Sequence, residues 1–231
     1  MRDFTICFSP AQWRALTAKQ LRASTCAVID VIRATSTIVT ALARGATAVQ
    51  PVADVSDAFA LKARNPEALL AGERGGQALP GFDLGNSPED FTMERVHQRP
   101  IILTTTNGTQ ALAACQGARA VVTASLLNLE AVAARLREIG PPWIIVCAGC
   151  DGEFGVDDAL VAGALAEALD QEHPLVWLYR SVRRDLTETL LGSAAGRELR
   201  KVGLEKDVPF CAQLNLFSIV ATLDADGVLR G

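Results

Sequence analysis

Aromatic side chains make up only 5% of this sequence, with a single tyrosine and three tryptophans. A core without them has to be assembled from Ala, Val, Leu and Ile, and side chains of that kind suit helices packed closely on parallel strands. Histidine is scarcer still: His97 and His173 are the only two. That rules out a histidine-rich dinuclear metal centre, and neither histidine stands next to an arginine as a histidine-nucleophile phosphate enzyme requires. No window approaches about 18 uninterrupted apolar residues, so no helical membrane span is expected. Met1–Pro10 lacks the basic-then-apolar order of a secretory leader, and a cytoplasmic location is expected. Long basic runs are missing too. With Lys+Arg 22 against Asp+Glu 26 and a net charge of -4, nucleic acid is excluded as a partner.

Several phosphate signatures are also missing. The loop ending in Gly-Lys-Ser/Thr does not occur, nor does G-x-G-x-x-G. None of Cys7, Cys26, Cys115, Cys147, Cys150 and Cys211 has an arginine six positions later, and the D-x-D pattern fails at Asp30 because position 32 is Ile. The six cysteines do not read as a disulfide framework either. Cys7, Cys26 and Cys147 lie in apolar runs, where reduced cysteine behaves as a small hydrophobe. Cys147 and Cys150 have C-x-x-C spacing, but there is no second such pair and no histidine nearby to complete a zinc site.

What is present is a regular alternation. Hydrophobic residues make up 49% of the chain and charged residues 21%, enough apolar material for one core and too little charge for disorder. Apolar runs at Thr5–Phe8, Ala27–Ile32, Ala48–Val52, Leu69–Ala71, Ile101–Thr105, Ala120–Thr123 and Trp143–Cys147 read as strands. Between them, Thr35–Arg44, Val55–Arg64, Pro88–Val96, Thr109–Cys115, Leu129–Ile139 and Asp158–Leu169 carry helical periodicity, with Gly45, Gly117 and Gly140 at the expected helix ends. This predicts an α/β fold, a layered and largely parallel sheet flanked by helices. The tail reads as helices at Leu175–Leu191 and Ala194–Val202, then as strands over Phe210–Leu229 closed by an Asp226–Gly227 turn. A single domain is expected, with 1–172 and 173–231 as two candidate lobes. Gly72–Glu89, rich in glycine, is too long for an idle loop.

In open α/β sheets ligands gather at the carboxyl ends of strands, and four such ends here are polar. The first carries Asp30, Arg33, Ser36 and Thr37; a carboxylate beside so apolar a run requires a cation, supplied by a metal, by Arg33 or by Arg74. The second carries Glu73 and Arg74 among glycines, followed by Asp83, Asn86 and Ser87, where helix capping before Pro88 is the plainer reading. The third is Thr104–Thr109, with Thr106, Asn107, Gly108 and Thr109. One of these residues caps a helix; the whole run favours anion binding. The fourth holds Asp151, Glu153, Asp157 and Asp158, of which helix-dipole compensation explains one or two. Oxygen ligands without histidine favour Mg2+ over Zn2+.

These runs have a familiar order. Val28–Thr37, Leu70–Gly76, Gly81–Pro88, Ile102–Thr109, Ala124–Asn128 and Val146–Gly149 are similar to the 2-phosphosulfolactate phosphatase (ComB-like) family, while Asn215–Ala221 departs from its pattern. The resemblance implies an Mg2+-dependent hydrolase that releases phosphate from 2-phospho-3-sulfolactate on the way to coenzyme M, with an unusual α/β fold and a homodimer. It places Asp30, Arg33, Glu73, Arg74, Asn86, Ser87, Thr106, Asn107 and Gly108 on family positions. The expected catalytic residues are Asp30, Arg33, Glu73 and Arg74. Ser36, Asn86, Ser87 and Thr106–Thr109 are expected to bind substrate, and Asp30, Glu73, Asp157 and Asp158 to bind metal. The rival reading is a non-catalytic sensor of a phosphorylated metabolite, which would need no cation.

Overall fold

A computed structural model describes residues 3–231. Met1 and Arg2, part of the segment read above for a leader, lie outside the described residues. In chain order the elements are β1 (Phe4–Cys7), α1 (Pro10–Arg14), α2 (Ala18–Ala23), β2 (Thr25–Ile29), α3 (Ala34–Ala43), β3 (Ala48–Pro51), α4 (Val55–Arg64), β4 (Leu69–Arg74) and β5 (Gln77–Ala78). Then follow α5 (Met93–Val96), β6 (Pro100–Thr104), α6 (Gly108–Ala114), β7 (Ala120–Ala124), α7 (Leu129–Ile139), β8 (Trp143–Cys147) and α8 (Val156–Ala168). The tail contributes α9 (Pro174–Val182), α10 (Leu186–Leu191), α11 (Ala194–Lys201), α12 (Asp207–Cys211), β9 (Thr222–Leu223) and β10 (Leu229–Arg230).

Among the described residues the sheet has ten strands, in the order β1-β8-β2-β7-β9-β10-β3-β6-β4-β5. It is mixed α/β with two parallel blocks, β1-β8-β2-β7 and β3-β6-β4. Between them the tail inserts the β9–β10 hairpin, antiparallel to β7 on one side and to β3 on the other. Ala221 and Leu229 of this insert are fully buried, so the chain end joins the two blocks.

Both faces of the sheet are covered, which is why its strands read as continuous apolar runs. Successive residues of β2 point to opposite faces: Cys26 and Val28 pack with Ile38, Leu112 and Trp13 on one, Ala27 and Ile29 with Val132, Leu136 and Leu165 on the other. Small residues allow close approach. A Cβ on Gly163 of α8 would fall 2.4 Å from the Leu175 carbonyl oxygen, so α8 and α9 pack in contact only with glycine there. All six cysteines are free thiols. Among the described residues no helix is long and apolar enough to cross a membrane.

Four expectations need correction. Leu175–Leu191 is two helices, α9 and α10, separated by a turn at 183–185 in which the Asp185 N–H donates to the Val182 carbonyl. The Pro88–Val96 helix breaks into a 3-10 turn at Pro88–Asp90 and the short α5, because Phe91 turns into the core and Thr92 is extended. The strand expected at Ala27–Ile32 ends at Ile29, where the Asp30 carbonyl accepts from Thr35 N–H and turns the chain into α3. Phe210–Leu229 is mostly irregular: Phe210 and Cys211 finish α12, and only two short strands follow. The turn between those strands is closed by Asp224, whose side chain accepts from the Asp226 and Val228 N–H groups. Helices α1 and α2, of 5 and 6 residues, are too short to leave a periodic signal.

Candidate active site

The four polar strand ends meet. Asp30 after β2, Glu73 at the end of β4, Thr106 and Asn107 after β6, and Asp157 at the start of α8 line one cleft of about 140 Å3. Arg33, Asn86 and Asp158 complete the wall, and Ala195, Glu198 and Leu199 of α11 close it from the tail.

Two carboxylates brace the loops. Asp158 accepts from Val31 N–H (2.9 Å) with one oxygen and from Gly149 N–H (3.0 Å) with the other, tying the ends of β2 and β8 together. Glu73 accepts from the Thr106 N–H (2.8 Å) and hydroxyl (3.0 Å), and from Gly76 N–H (2.8 Å), tying the β4–β5 turn to the loop after β6. Asp30 and Asp157 are less engaged. Asp30 Oδ1 accepts from Ala34 N–H at 3.2 Å. Its Oδ2 faces Gly108, where a Cβ would come within 2.6 Å, so glycine is required for α6 to start there. Among the described residues Asp157 Oδ1 is buried without a hydrogen-bond partner, and so is Asn86 Oδ1 in the same wall. A buried oxygen without a donor is costly unless something else compensates it.

Charge accumulates accordingly. Burial, with the charges of Glu73 and Asp157 adding to it against the Ala34 and Gly108 N–H groups, pushes the Asp30 carboxyl up to about 7. Burial likewise raises Asp157 to about 6, opposed by the N–H groups at the start of α8. Asp158 is held well above the usual carboxylate range by burial and by the charges of Asp157 and Asp30. Three neighbouring buried acids that resist ionising together need protons or a cation.

Arg33 does not pair with Asp30. Its Nη1 donates to Asp207 Oδ2 (2.6 Å) and to the Ser87 hydroxyl (3.2 Å), and its Nη2 to the Gly76 carbonyl (2.6 Å). The Ser87 hydroxyl also donates to Asp207, at 2.7 Å. Asp207, on the five-residue α12, is fully buried, and sequence reasoning missed it. Glu205 and Lys206 before it are charged too, so nothing local in the sequence singled it out.

Other expected residues lie outside the cleft wall. Arg74 turns away to the Glu73 and Ala53 carbonyls and the Thr104 hydroxyl. Ser36 donates to the Val31 carbonyl and Thr109 to the Thr105 carbonyl, both inside their own turns. Ser87 reaches the cleft only through Arg33 and Asp207, and Gly108 only by yielding space to Asp30. Cys147 points into the core while Cys150 lines the cleft, which separates the C-x-x-C pair.

A sequence profile described as 2-phosphosulpholactate phosphatase matches residues 12–226 of this chain. The chain belongs to the 2-phosphosulfolactate phosphatase family. Among similar proteins is a "Probable 2-phosphosulfolactate phosphatase" of Caldanaerobacter subterraneus subsp. tengcongensis, 37% identical over 229 residues that span 94% of this chain and 95% of that one. Proteins with the same name from Thermotoga petrophila and Deinococcus radiodurans are each 42% identical, over 86% and 85% of this chain and 88% and 86% of theirs. The match to this family of phosphoric monoester hydrolases runs through the tail, so Asp207 lies within it as Asp30 and Asp157 do.

Proposed function

We propose that this chain is an Mg2+-dependent phosphatase that converts 2-phosphosulfolactate and water to sulfolactate and inorganic phosphate. The observation that carries this reading is the meeting of Asp30, Glu73 and Asp157 with Arg33, Thr106 and Asn107 in one cleft at the carboxyl ends of parallel strands. Carboxylates alone repel a phosphoester, so the cleft accepts one only with a cation between them. The donor set fits a hard dication: the unpartnered oxygens of Asp157 and Asn86 and the Asp30 carboxylate are all oxygen ligands. Among the described residues no three His, Cys, Asp or Glu side chains form a ready-made cage. Mg2+ does not need one, since it binds through one or two carboxylates, water and substrate phosphate. Asp30 and Asp157 would hold it; when bound, it supplies charge neutralisation at the phosphoryl oxygens.

The chain's own groups do the positioning. Asp207, Ser87 and the Gly76 carbonyl fix the Arg33 guanidinium in the wall, leaving Nε and one Nη2 proton without a protein acceptor among the described residues. Those donors suit a phosphoryl oxygen. Glu73 holds the Thr106 loop still, so that Thr106 and Asn107 face the cleft at fixed positions. In the reaction a water oxygen bonds to phosphorus, the ester P–O bond breaks, and the departing alkoxide takes the proton that the attacking water gives up. Phosphate release from 2-phosphosulfolactate, measured with Mg2+ and again in EDTA, tests the proposal. Release that stops in EDTA and returns with Mg2+ is expected; metabolite binding without release would make the protein a sensor instead.

A further inference from the structure

The cleft leaves part of that substrate without a cation. Besides its phosphoester, 2-phosphosulfolactate carries a carboxylate and, on the next carbon, a sulfonate. Among the described residues Arg33 is the only Lys or Arg in the cleft wall, and it is ion-paired to Asp207. A second cavity adjoins the cleft and shares Thr106, Asn107 and Asp151 with it; Trp13, Arg14 and Gln110 line its far side. We propose that this cavity is the subsite for the substrate's sulfonate and that Arg14 is the specificity residue that receives it. The inference rests on the phosphatase reading above.

Arg14 differs from those surface arginines that a carboxylate neutralises, and among the described residues it is the basic one lining this cavity. Arg135, Arg137, Arg180 and Arg230 each pair with a carboxylate. Among the described residues Arg14 has no such partner, although Asp151 lines the same cavity. It is held by neutral groups instead. Its Nη2 donates to Gln110 Oε1 at 2.8 Å, and its guanidinium carbon lies 4.9 Å from the centre of the ring of the buried Trp13. Gln110 is oriented in turn, because its Nε2 donates to the Thr106 carbonyl at 2.9 Å and so leaves Oε1 toward Arg14. A hydrogen-bonded chain therefore runs from the cleft loop through Gln110 to a guanidinium that keeps its full charge. A fixed fork of N–H donors matches the oxygens of a sulfonate as it does those of a phosphate. An amide and a ring steady it without neutralising it.

The test compares 2-phosphosulfolactate with 2-phospholactate, which has the same phosphoester and carboxylate but a methyl group where the sulfonate-bearing carbon stands. The wild type is expected to prefer the sulfonated ester. Arg14→Gln should raise its KM about tenfold to a hundredfold, the worth of a charge-assisted hydrogen bond, with kcat changing less. The ratio of kcat/KM between the two esters should collapse, and Arg14→Lys should recover part of it. Arg14 is exposed, so both variants should melt with the wild type. Hydrolysis with no wild-type preference, or a preference that survives Arg14→Gln, overturns this inference alone. A wild type that hydrolyses neither ester overturns the phosphatase reading and this inference with it.

Discussion

Replacing Asp30 by Asn removes a charge while keeping an oxygen to accept from Ala34 N–H, and stability and activity should then move in opposite directions. Burial and the neighbouring acids raise the Asp30 carboxyl from an ordinary 3.8 to about 7. A carboxyl raised in the folded state contributes stability that is full below its unfolded value and is lost as pH rises through the folded one. At pH 8 without metal, keeping Asp30 ionised in the fold therefore costs about 4 kcal/mol. Asn, neutral like the protonated acid, avoids that cost, in which the Ala34 and Gly108 N–H groups are already counted. The gain of about 4 kcal/mol corresponds to roughly 8–16 °C in a chain of this size. Differential scanning in EDTA at pH 8 should show Asp30→Asn melting above the wild type, and at pH 4 the gap should close. Phosphate release at saturating Mg2+ should fall by about 10^2–10^3. A variant that melts lower than the wild type in EDTA at pH 8, or that turns over at the wild-type rate, would refute the reasoning.

Asp207→Ala strands the Arg33 guanidinium in a buried site, and urea denaturation should show a loss of about 3–5 kcal/mol. Pairing Arg33→Met with Asp207→Leu should restore most of that stability without restoring activity; a single-variant cost under about 1 kcal/mol would mean the pair is solvated. Gly108→Ala drives a methyl group into Asp30 Oδ2, and overpacking of this kind costs about 1–3 kcal/mol. Calorimetric titration should show weaker Mg2+ binding to that variant; unchanged affinity would contradict the close approach. Of the six free thiols only Cys150 is not buried, and burial raises it to about 11. Ellman's reagent should label one thiol slowly in the native protein at pH 8, inorganic phosphate should slow it further, and all six should react in urea. Rapid labelling of several native thiols would contradict the packing described.

The parts of this fold legible in the sequence are those where one physical signal dominates. Trp143–Cys147, Val55–Arg64 and Leu129–Ile139 have the same bounds in sequence and structure, because a strand buried on both faces and a two-faced helix each leave an uninterrupted pattern. Asp30, Glu73, Thr106, Asn107 and Asp157 were visible for a related reason: polar groups at the ends of apolar runs stand out, and the parallel topology brings those ends together. What stayed hidden depends on long-range pairing. Asp207 meets Arg33 across 174 positions, and nothing local in a five-residue helix announces it. The β9–β10 insert consists of two-residue strands, too short for alternation, yet it joins the two halves of the sheet. Arg74 looked equivalent to Arg33, but only backbone direction decides that one faces the cleft wall and the other faces Ala53 and Thr104.

A crystal grown with Mn2+ in place of Mg2+ and soaked with vanadate, a mimic of the transferring phosphoryl group, would test the central claim most directly. An anomalous peak bonded to the Asp30 and Asp157 carboxylates, with the vanadate between it and Arg33, Thr106 and Asn107, is the result expected. A metal bound elsewhere, or vanadate seated away from that cleft, would contradict it.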